Sequence, residues 1–359
     1  MKYYISETIF DETRNRTAAS KAREDVNEIV SKNGYKALEV QYDYHLRKMK
    51  GFFPALLQLT KQWDTALNKI GKNDTVLIQF PLNHHPLMIP SKIDSIHKRG
   101  GKVIILIHDI DSLRADKSSI IKKLKYRKIK YEDNSILQRG DAIISHNDLM
   151  TDKIVELGID RTRIVSLGLF DYLLHSHVNQ GKRDINDPVI IAGTLRKGKA
   201  DYAYELPQDI QFNLYGVGYE DEKKENITYY GSFPPEDLVH SMKGSFGLVW
   251  DGESSLTCQG VTGDYLRINN PHKTSLYIAS CIPVIVWEES AIAQFVKRFQ
   301  CGTTIGSLSD LKSAISKIGP DEYQKMIKNT ITLSGKISEG YFTENALRSA
   351  ECIVGKMKI

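Results

Sequence analysis

A chain of 359 residues with 41% hydrophobic and 26% charged side chains has the make-up of an ordinary globular protein. Its length suits two domains, on a rough prior of one per 100–200 residues. Its 49 Lys and Arg against 44 Asp and Glu leave a net charge of +5, too mild over this length to mark a nucleic-acid-binding protein. The four cysteines (Cys258, Cys281, Cys301 and Cys352) form no Cys-x-x-Cys pair and all lie in the last third. This argues against a disulfide framework or structural zinc and for reduced thiols in a cytosol. The opening MKYYISETIF has no apolar run suited to a signal peptide, and no stretch approaches the roughly 20 apolar residues of a membrane span. A cytoplasmic location is expected.

Along the first half, short Val- and Ile-rich runs recur: KYYIS, ALEVQY, TVLIQF, KVIILIH, AIISH and RIVSL. Stretches with helical spacing separate them, at residues 18–32, 54–69, 91–99 and 120–138. This alternation predicts βαβ units around a parallel sheet buried on both faces. It pauses in the polar segment between Gly168 and Pro188, which reads as a linker. A second series follows, VIIAG, FNLYGVG, ITYYGSF, GLVWDG, PVIVW and GTTIGS, and a helical pattern closes the chain from about Glu339 to Lys356. No period of 20–50 residues repeats. The expected fold is α/β with two Rossmann-like domains, at residues 1–170 and 188–338, and a C-terminal helix within 339–359. Two such domains would face each other across a cleft. Ligands would then bind outside the carboxyl ends of the strands.

Residues 263–287, GDYLRINNPHKTSLYIASCIPVIVW, are the most informative. Asn270 is suited to cap a helix and Pro271 to open it, predicting a helix from Pro271 to about Ser280. Its free N–H groups and partial positive charge suit a phosphate. Lys273, Thr274 and Ser275 add a cation and two hydroxyls. A cation in the first turn opposes the helix dipole, which makes sense if an anion sits there; a plain capped helix with a solvated lysine is the competing reading. Other strand ends in this half carry related chemistry: Thr194-Leu195-Arg196-Lys197, Gly216-Val217-Gly218, Tyr229-Tyr230 and Asp251-Gly252. In the first half, KVIILIH ends in the charged cluster His108-Asp109-Ile110-Asp111-Ser112-Leu113-Arg114. Asp109 and Asp111 form an Asp-x-Asp, one way to hold a divalent cation. In another reading Asp109 caps the following helix and pairs with Arg114. His84-His85, after TVLIQF, is a weaker candidate for the acceptor pocket, and without an ordered carboxylate partner it reads as plain loop residues.

The order G-T-L-R-K, L-Y-G-x-G, Y-Y-G-S-F, G-L-V-W-D-G and N-N-P-H-K-T-S-L-Y-I-A resembles the bacterial glucosyltransferase 3 family, which includes β-1,6-galactofuranosyltransferases. The resemblance covers most of the chain and is most specific at Asn270-Pro271-His272-Lys273. It implies the GT-B fold and transfer of a hexose from a UDP-sugar to a glycan acceptor on a protein or lipid carrier, with no separate cofactor. It implies that Thr17, Arg196, Tyr230 and the run Pro271 to Leu276 contact UDP, with Arg196 and Lys273 neutralising the diphosphate. Asn15-Arg16-Thr17 would lie in the nucleotide-contacting loop after the first strand; helix capping is the competing reading for Asn15 and Thr17. Gly216, Asn270 and His272 complete the expected donor site.

In an inverting transfer Asp109, or next His108, would take the acceptor's proton. No bound metal is expected, because the phosphate-binding features lie in the second domain whereas the Asp-x-Asp lies in the first. Residues 117–130, KSSIIKKLKYRKIK, hold seven Lys or Arg in fourteen. They suit a peripheral contact with anionic lipid, an acidic protein acceptor or a solvated helix face. A homo-oligomer is expected. The alternatives are a non-hydrolysing UDP-GlcNAc 2-epimerase and a non-catalytic glycan-binding partner of the same fold.

Overall fold

The structure, a computed structural model, describes residues 1–10, 18–43, 51–82, 89–115, 118–176, 178, 183–220 and 224–356. The chain divides into two compact units. The first comprises Met1–Asn15, Arg23–Leu167 and Thr343–Ile359; the second comprises Arg16–Ala22 and Gly168–Phe342.

The first unit is built on β1 (Lys2–Phe10), β2 (Lys36–Asp43), β3 (Thr75–Phe80), β4 (Lys102–Ile107), β5 (Ala142–Ser145) and β6 (Ile164–Ser166), in the order β2-β1-β3-β4-β5-β6. All neighbouring pairs are parallel, with β3 and β4 in register from Thr75↔Lys102 to Phe80↔Ile107. Their helices are α1 (Ala18–Lys32, counted with this unit from Arg23 on), α2 (Phe52–Leu67), α3 (Ile89–Lys98), α4 (Ile120–Leu137) and α5 (Asp148–Glu156). Val76, Leu77, Ile78 and the run from Val103 to Ile107 are fully buried. That is the condition an unbroken apolar strand predicts in a sheet covered on both faces.

The second unit adds β7 (Val189–Thr194), β8 (Phe212–Val217), β9 (Ile227–Tyr229), β10 (Gly247–Val249), β11 (Val284–Trp287) and β12 (Gly302–Ile305), ordered β12-β11-β10-β7-β8-β9 and again parallel. Helices α6 (Pro235–Ser241), α7 (Gly260–Tyr265), α8 (His272–Ala279), α9 (Ile292–Phe299), α10 (Leu311–Ser316) and α11 (Pro320–Ser338) complete it. Successive strand residues point to opposite faces. Ile190 and Ala192 accordingly pack with Tyr277, Leu333 and Ile337, while Val189 and Ile191 pack with Leu214, Tyr323 and Met326.

Two segments differ from expectation. The stretch read as a linker begins as core: Leu169, Phe170, Tyr172 and Leu173 are buried, and Leu169 and Tyr172 join the second unit's core. Polar residues further along the segment masked this short apolar run. The C-terminal helix, α12 (Tyr341–Lys356), crosses back from Thr343 into the first unit. There Glu351 accepts from Lys2 Nζ at 2.7 Å and from the Tyr35 hydroxyl at 2.9 Å.

Gly216 shows how tightly the second sheet is constrained. It pairs with Gly193 across β7 and β8. Its φ is +140°, and a Cβ there would stand 1.7 Å from the Gly193 carbonyl oxygen. Both the backbone conformation and the space demand glycine. Gly216→Ala should destabilise the protein by about 2–4 kcal/mol, read as a lower denaturant midpoint.

Candidate functional site

The order of the second sheet reverses between β10 and β7, and such switch points are where doubly wound sheets bind ligands. β7 runs into Leu195-Arg196, β10 runs into Trp250-Asp251, and α8 follows close by in the chain. Lys273, in the first turn of α8, donates from Nζ to Asp251 Oδ1 and to the Trp250 carbonyl, both at 2.9 Å. Burial works against its charge, but Asp251 and nearby Tyr277 and Cys258 outweigh it and hold the ammonium above its ordinary pKa. The anion that the first-turn cation calls for is therefore, in part, the protein's own Asp251. One turn on, the Tyr277 hydroxyl accepts from the Ala192 N–H at 2.7 Å and donates to the Leu248 carbonyl at 3.3 Å, tying α8 to both switch-point strands.

The helix opens one residue later than the spacing suggests. Pro271 is extended (φ −66°, ψ 134°) and stands at the cap position. Asn270 does not cap it: it is buried, and its Nδ2 donates to the Gly168 carbonyl at 2.7 Å. Ser275 Oγ likewise donates to the Phe170 carbonyl at 2.7 Å, and Leu276 lies in the core. These three side chains hold the Gly168–Phe170 segment against α8. Thr274 is fully buried, and its hydroxyl has no partner among the described residues.

Both ring nitrogens of His272 are buried without a hydrogen-bond partner among the described residues. The ring stacks on Tyr172 at 5.3 Å and meets Phe170 edge-on at 6.1 Å. Burial first, and the Lys21 ammonium second, push its pKa down to about 4. Lys21 donates to the Leu173 carbonyl at 2.9 Å and lies over the Tyr172 ring.

Arg196 is exposed, and no ion pair engages its guanidinium among the described residues. A Cβ on Gly218 would come within 2.8 Å of Arg196 Cβ, so the glycine makes room for it. Tyr230 stacks flat on Tyr215, centroids 4.8 Å apart and planes within 4°, and keeps part of its ring in solvent. Gly216 serves the sheet. Asn15, Thr17, His84 and His85 lie outside the described residues.

The first sheet reverses order between β1 and β3, where polar side chains meet. Gln79, the one polar side chain within the buried part of β3, donates from Nε2 to Asn27 Oδ1 at 2.8 Å and to the Arg23 carbonyl at 3.3 Å. Its Oε1 therefore faces His108 Nε2, 2.6 Å away, and accepts the proton there. In the neutral ring the lone pair is on Nδ1. Arg23 reaches the carbonyls of Gln79 and Pro81 and pairs with Glu7 at 3.5 Å. Arg114 spans Asp109 at 3.0 Å and Asp111 at 2.7 Å. That ion pair is the competing arrangement the sequence allowed, and it sets an arginine where the Asp-x-Asp reading would set a cation. Glu7, Arg23 and Gln79 are not among the expected site residues; for Glu7 and Gln79 the signal is a polar residue within a strand of the sheet, whereas Arg23, on α1, carries none.

The solved structure of sucrose-phosphate synthase from Thermosynechococcus elongatus aligns with a TM-score of 0.64 and 11% identity, covering 98% of each chain. With two Rossmann-like sheets, the fold is that of the GT-B glycosyltransferases. Residues 2–169 match the glucosyltransferase 3-like N-terminal domain and residues 189–350 its C-terminal domain. The chain belongs to the glucosyltransferase 3-like family, and it is a glycosyltransferase. It is 31% identical over 350 residues to beta-1,6-galactofuranosyltransferase WbbI of Escherichia coli K12, covering 96% of this chain and 97% of that protein. It is 24% identical over 332 residues to glucosyltransferase 3 of Streptococcus gordonii, covering 92% of each.

The buried His272 gives a test by pH. Its folded-state pKa of about 4 lies below the ordinary 6.5, so the unfolded chain takes up the proton first. Its contribution to stability is full above pH 6.5 and is lost as pH falls toward 4, up to about 3 kcal/mol. His146 shifts the same way, also to about 4. Asp133, whose burial raises its pKa to about 6, acts in the opposite sense in the same window. Thermal unfolding of His272→Phe should therefore show less loss of stability than the wild type as pH falls from 6.5 toward 4; an unchanged loss would contradict this placement.

Proposed function

We propose that the protein transfers a hexose, glucose or galactofuranose, from a UDP-sugar to a sugar acceptor on a glycoprotein or lipid-linked glycan, with inversion and without a bound metal. The observation that carries the reading is the switch point of the second sheet, where Arg196, Lys273 and the N-terminus of α8 carry positive charge at the ends of neighbouring strands. The diphosphate lies against these groups, and the buried hydroxyl of Thr274 is a further donor beside the helix N–H groups. The exposed face of Tyr230 takes the uracil. The relatives' activities, a galactofuranosyl and a glucosyl transfer, support the class of donor. As UDP departs, these cations stabilise its charge.

The acceptor's proton goes to the strand end at His108 and Asp109. The sequence favours Asp109, but proton uptake there competes with the Arg114 ion pair. His108 has the ordered partner that orients a base: Gln79 holds the proton on Nε2, so Nδ1 is the basic atom. A cytoplasmic enzyme in peripheral contact with the membrane through residues 117–130 fits a lipid-linked acceptor.

Arg196→Ala and Lys273→Ala should each weaken UDP binding about tenfold or more, since charge-assisted contacts contribute roughly 1.5–3 kcal/mol each. Calorimetry in EDTA measures this, and undiminished affinity in both variants would refute the donor site. For the base, His108→Phe should cut turnover by about 10²–10⁴ with UDP affinity nearly constant. Gln79→Met, which cannot accept the Nε2 proton as an amide oxygen does, should lower kcat and displace its pH profile. If Asp109→Asn alone shows the large loss, the carboxylate is the base. Turnover that needs manganese would overturn the metal-free part.

A further inference from the structure

The carboxyl edge of the first sheet borders an exposed surface that the donor and acceptor chemistry does not explain. Helices α2, α3 and α4 connect β2 to β3, β3 to β4 and β4 to β5, all stepping the same way across the sheet. Right-handed crossovers place them on one face, and α3 packs against both α2 and α4. Each helix follows the end of a strand, so the N-termini of α2 and α4 border the edge that holds His108 and Asp109.

Helix α4 has a buried side and an exposed apolar side. Asp133, Ile136 and Leu137 are buried on the inner one. On the other side Ile120, Leu124 and Tyr131 are 79%, 60% and 76% exposed. At 3.6 residues per turn these three fall within about 40° of one another, and Ile121, 81% exposed, widens the stripe. Lys123 and Arg127 flank it on one side, Lys125 and Lys128 on the other. From Ser118 to Tyr131 there are six Lys or Arg and no acidic residue. At the start of α2, Phe53 and Leu57 are 75% and 64% exposed, one turn apart and so on one face.

The geometry points to an anionic bilayer as the occupant of this surface. Apolar side chains flanked by cations enter the acyl boundary while the cations meet lipid phosphates. Exposed apolar side chains at two helix starts along one edge suit a broad planar partner. An acidic protein would match the charge but leaves the exposed isoleucines and leucines without a role. The inference rests on the proposed transfer and narrows it: with the proton-accepting strand end at the same edge, the acceptor class is a glycan carried by a membrane lipid.

Flotation of the full chain with phosphatidylcholine vesicles, with and without phosphatidylglycerol, tests the surface. Binding is expected only to the anionic vesicles and should weaken as salt rises. The double variant Ile120→Glu/Leu124→Glu, and separately Leu57→Glu, alter exposed positions that the fold does not use. The double variant should lose about tenfold or more of vesicle partition, with unchanged UDP affinity and unfolding midpoint. Wild type that ignores anionic vesicles, or a double variant that binds them as wild type does, overturns the proposal. UDP calorimetry on the wild type separates the two readings: vesicle binding without UDP binding would refute the donor assignment and leave the lipid surface standing.

Discussion

A cation in the first turn of a helix has to be stabilised against the helix dipole, and in the second unit one carboxylate does this. Lys273 bridges Asp251 and the carbonyl of Trp250 at the end of β10. Four residues on, Tyr277 bonds backbone groups of both β7 and β10. The i and i+4 side chains thus anchor one face of α8 across the sheet's switch point. Asn270 and Ser275 tie its N-terminal turn to the Gly168–Phe170 segment. A helix fixed on both sides presents its free N–H groups in a set direction, as an anion site requires.

That anchoring separates candidate residues that the sequence brings together in one motif. The α/β pattern was legible because both sheets use unbroken Val- and Ile-rich strands, and the helical stretch at 120–138 is observed within a residue as α4. Arg196 and Lys273 stood out as cations at strand and helix ends. Asn270, Ser275 and Leu276 carry the same motif but are spent on the fold, since motif spacing does not distinguish a side chain facing a ligand from one facing a neighbouring loop. The buried start of the supposed linker went unread for a similar reason: a short run of apolar residues followed by polar ones has the composition of a connection.

The first unit's polar cluster was the hardest to foresee. Gln79 is a single polar residue in TVLIQF, and its partners come from α1 and from the end of β4. Periodicity locates each strand but not the register that sets Phe80 beside Ile107 and so Gln79 near His108. Arg23 shows the cost of such placement. Burial lowers its pKa, and Glu7, Asp109 and Asp111 counteract this.

The charge at the two switch points bears on which of them takes a diphosphate. Near the first, Glu7, Asp109 and Asp111 face Arg23 and Arg114, so its cations already have carboxylate partners. At the second, Asp251 pairs with Lys273, while Arg196 stands exposed beside Lys197, which lies over the Tyr204 ring 5.0 Å away. An anion placed at the first point would meet a surplus of carboxylates. At the second it meets a cation without a carboxylate partner among the described residues, the backbone N–H groups of α8 and a Lys–Asp pair whose ammonium is already fixed in position. On charge alone, the switch point of the second unit suits an anion at a smaller electrostatic cost than that of the first.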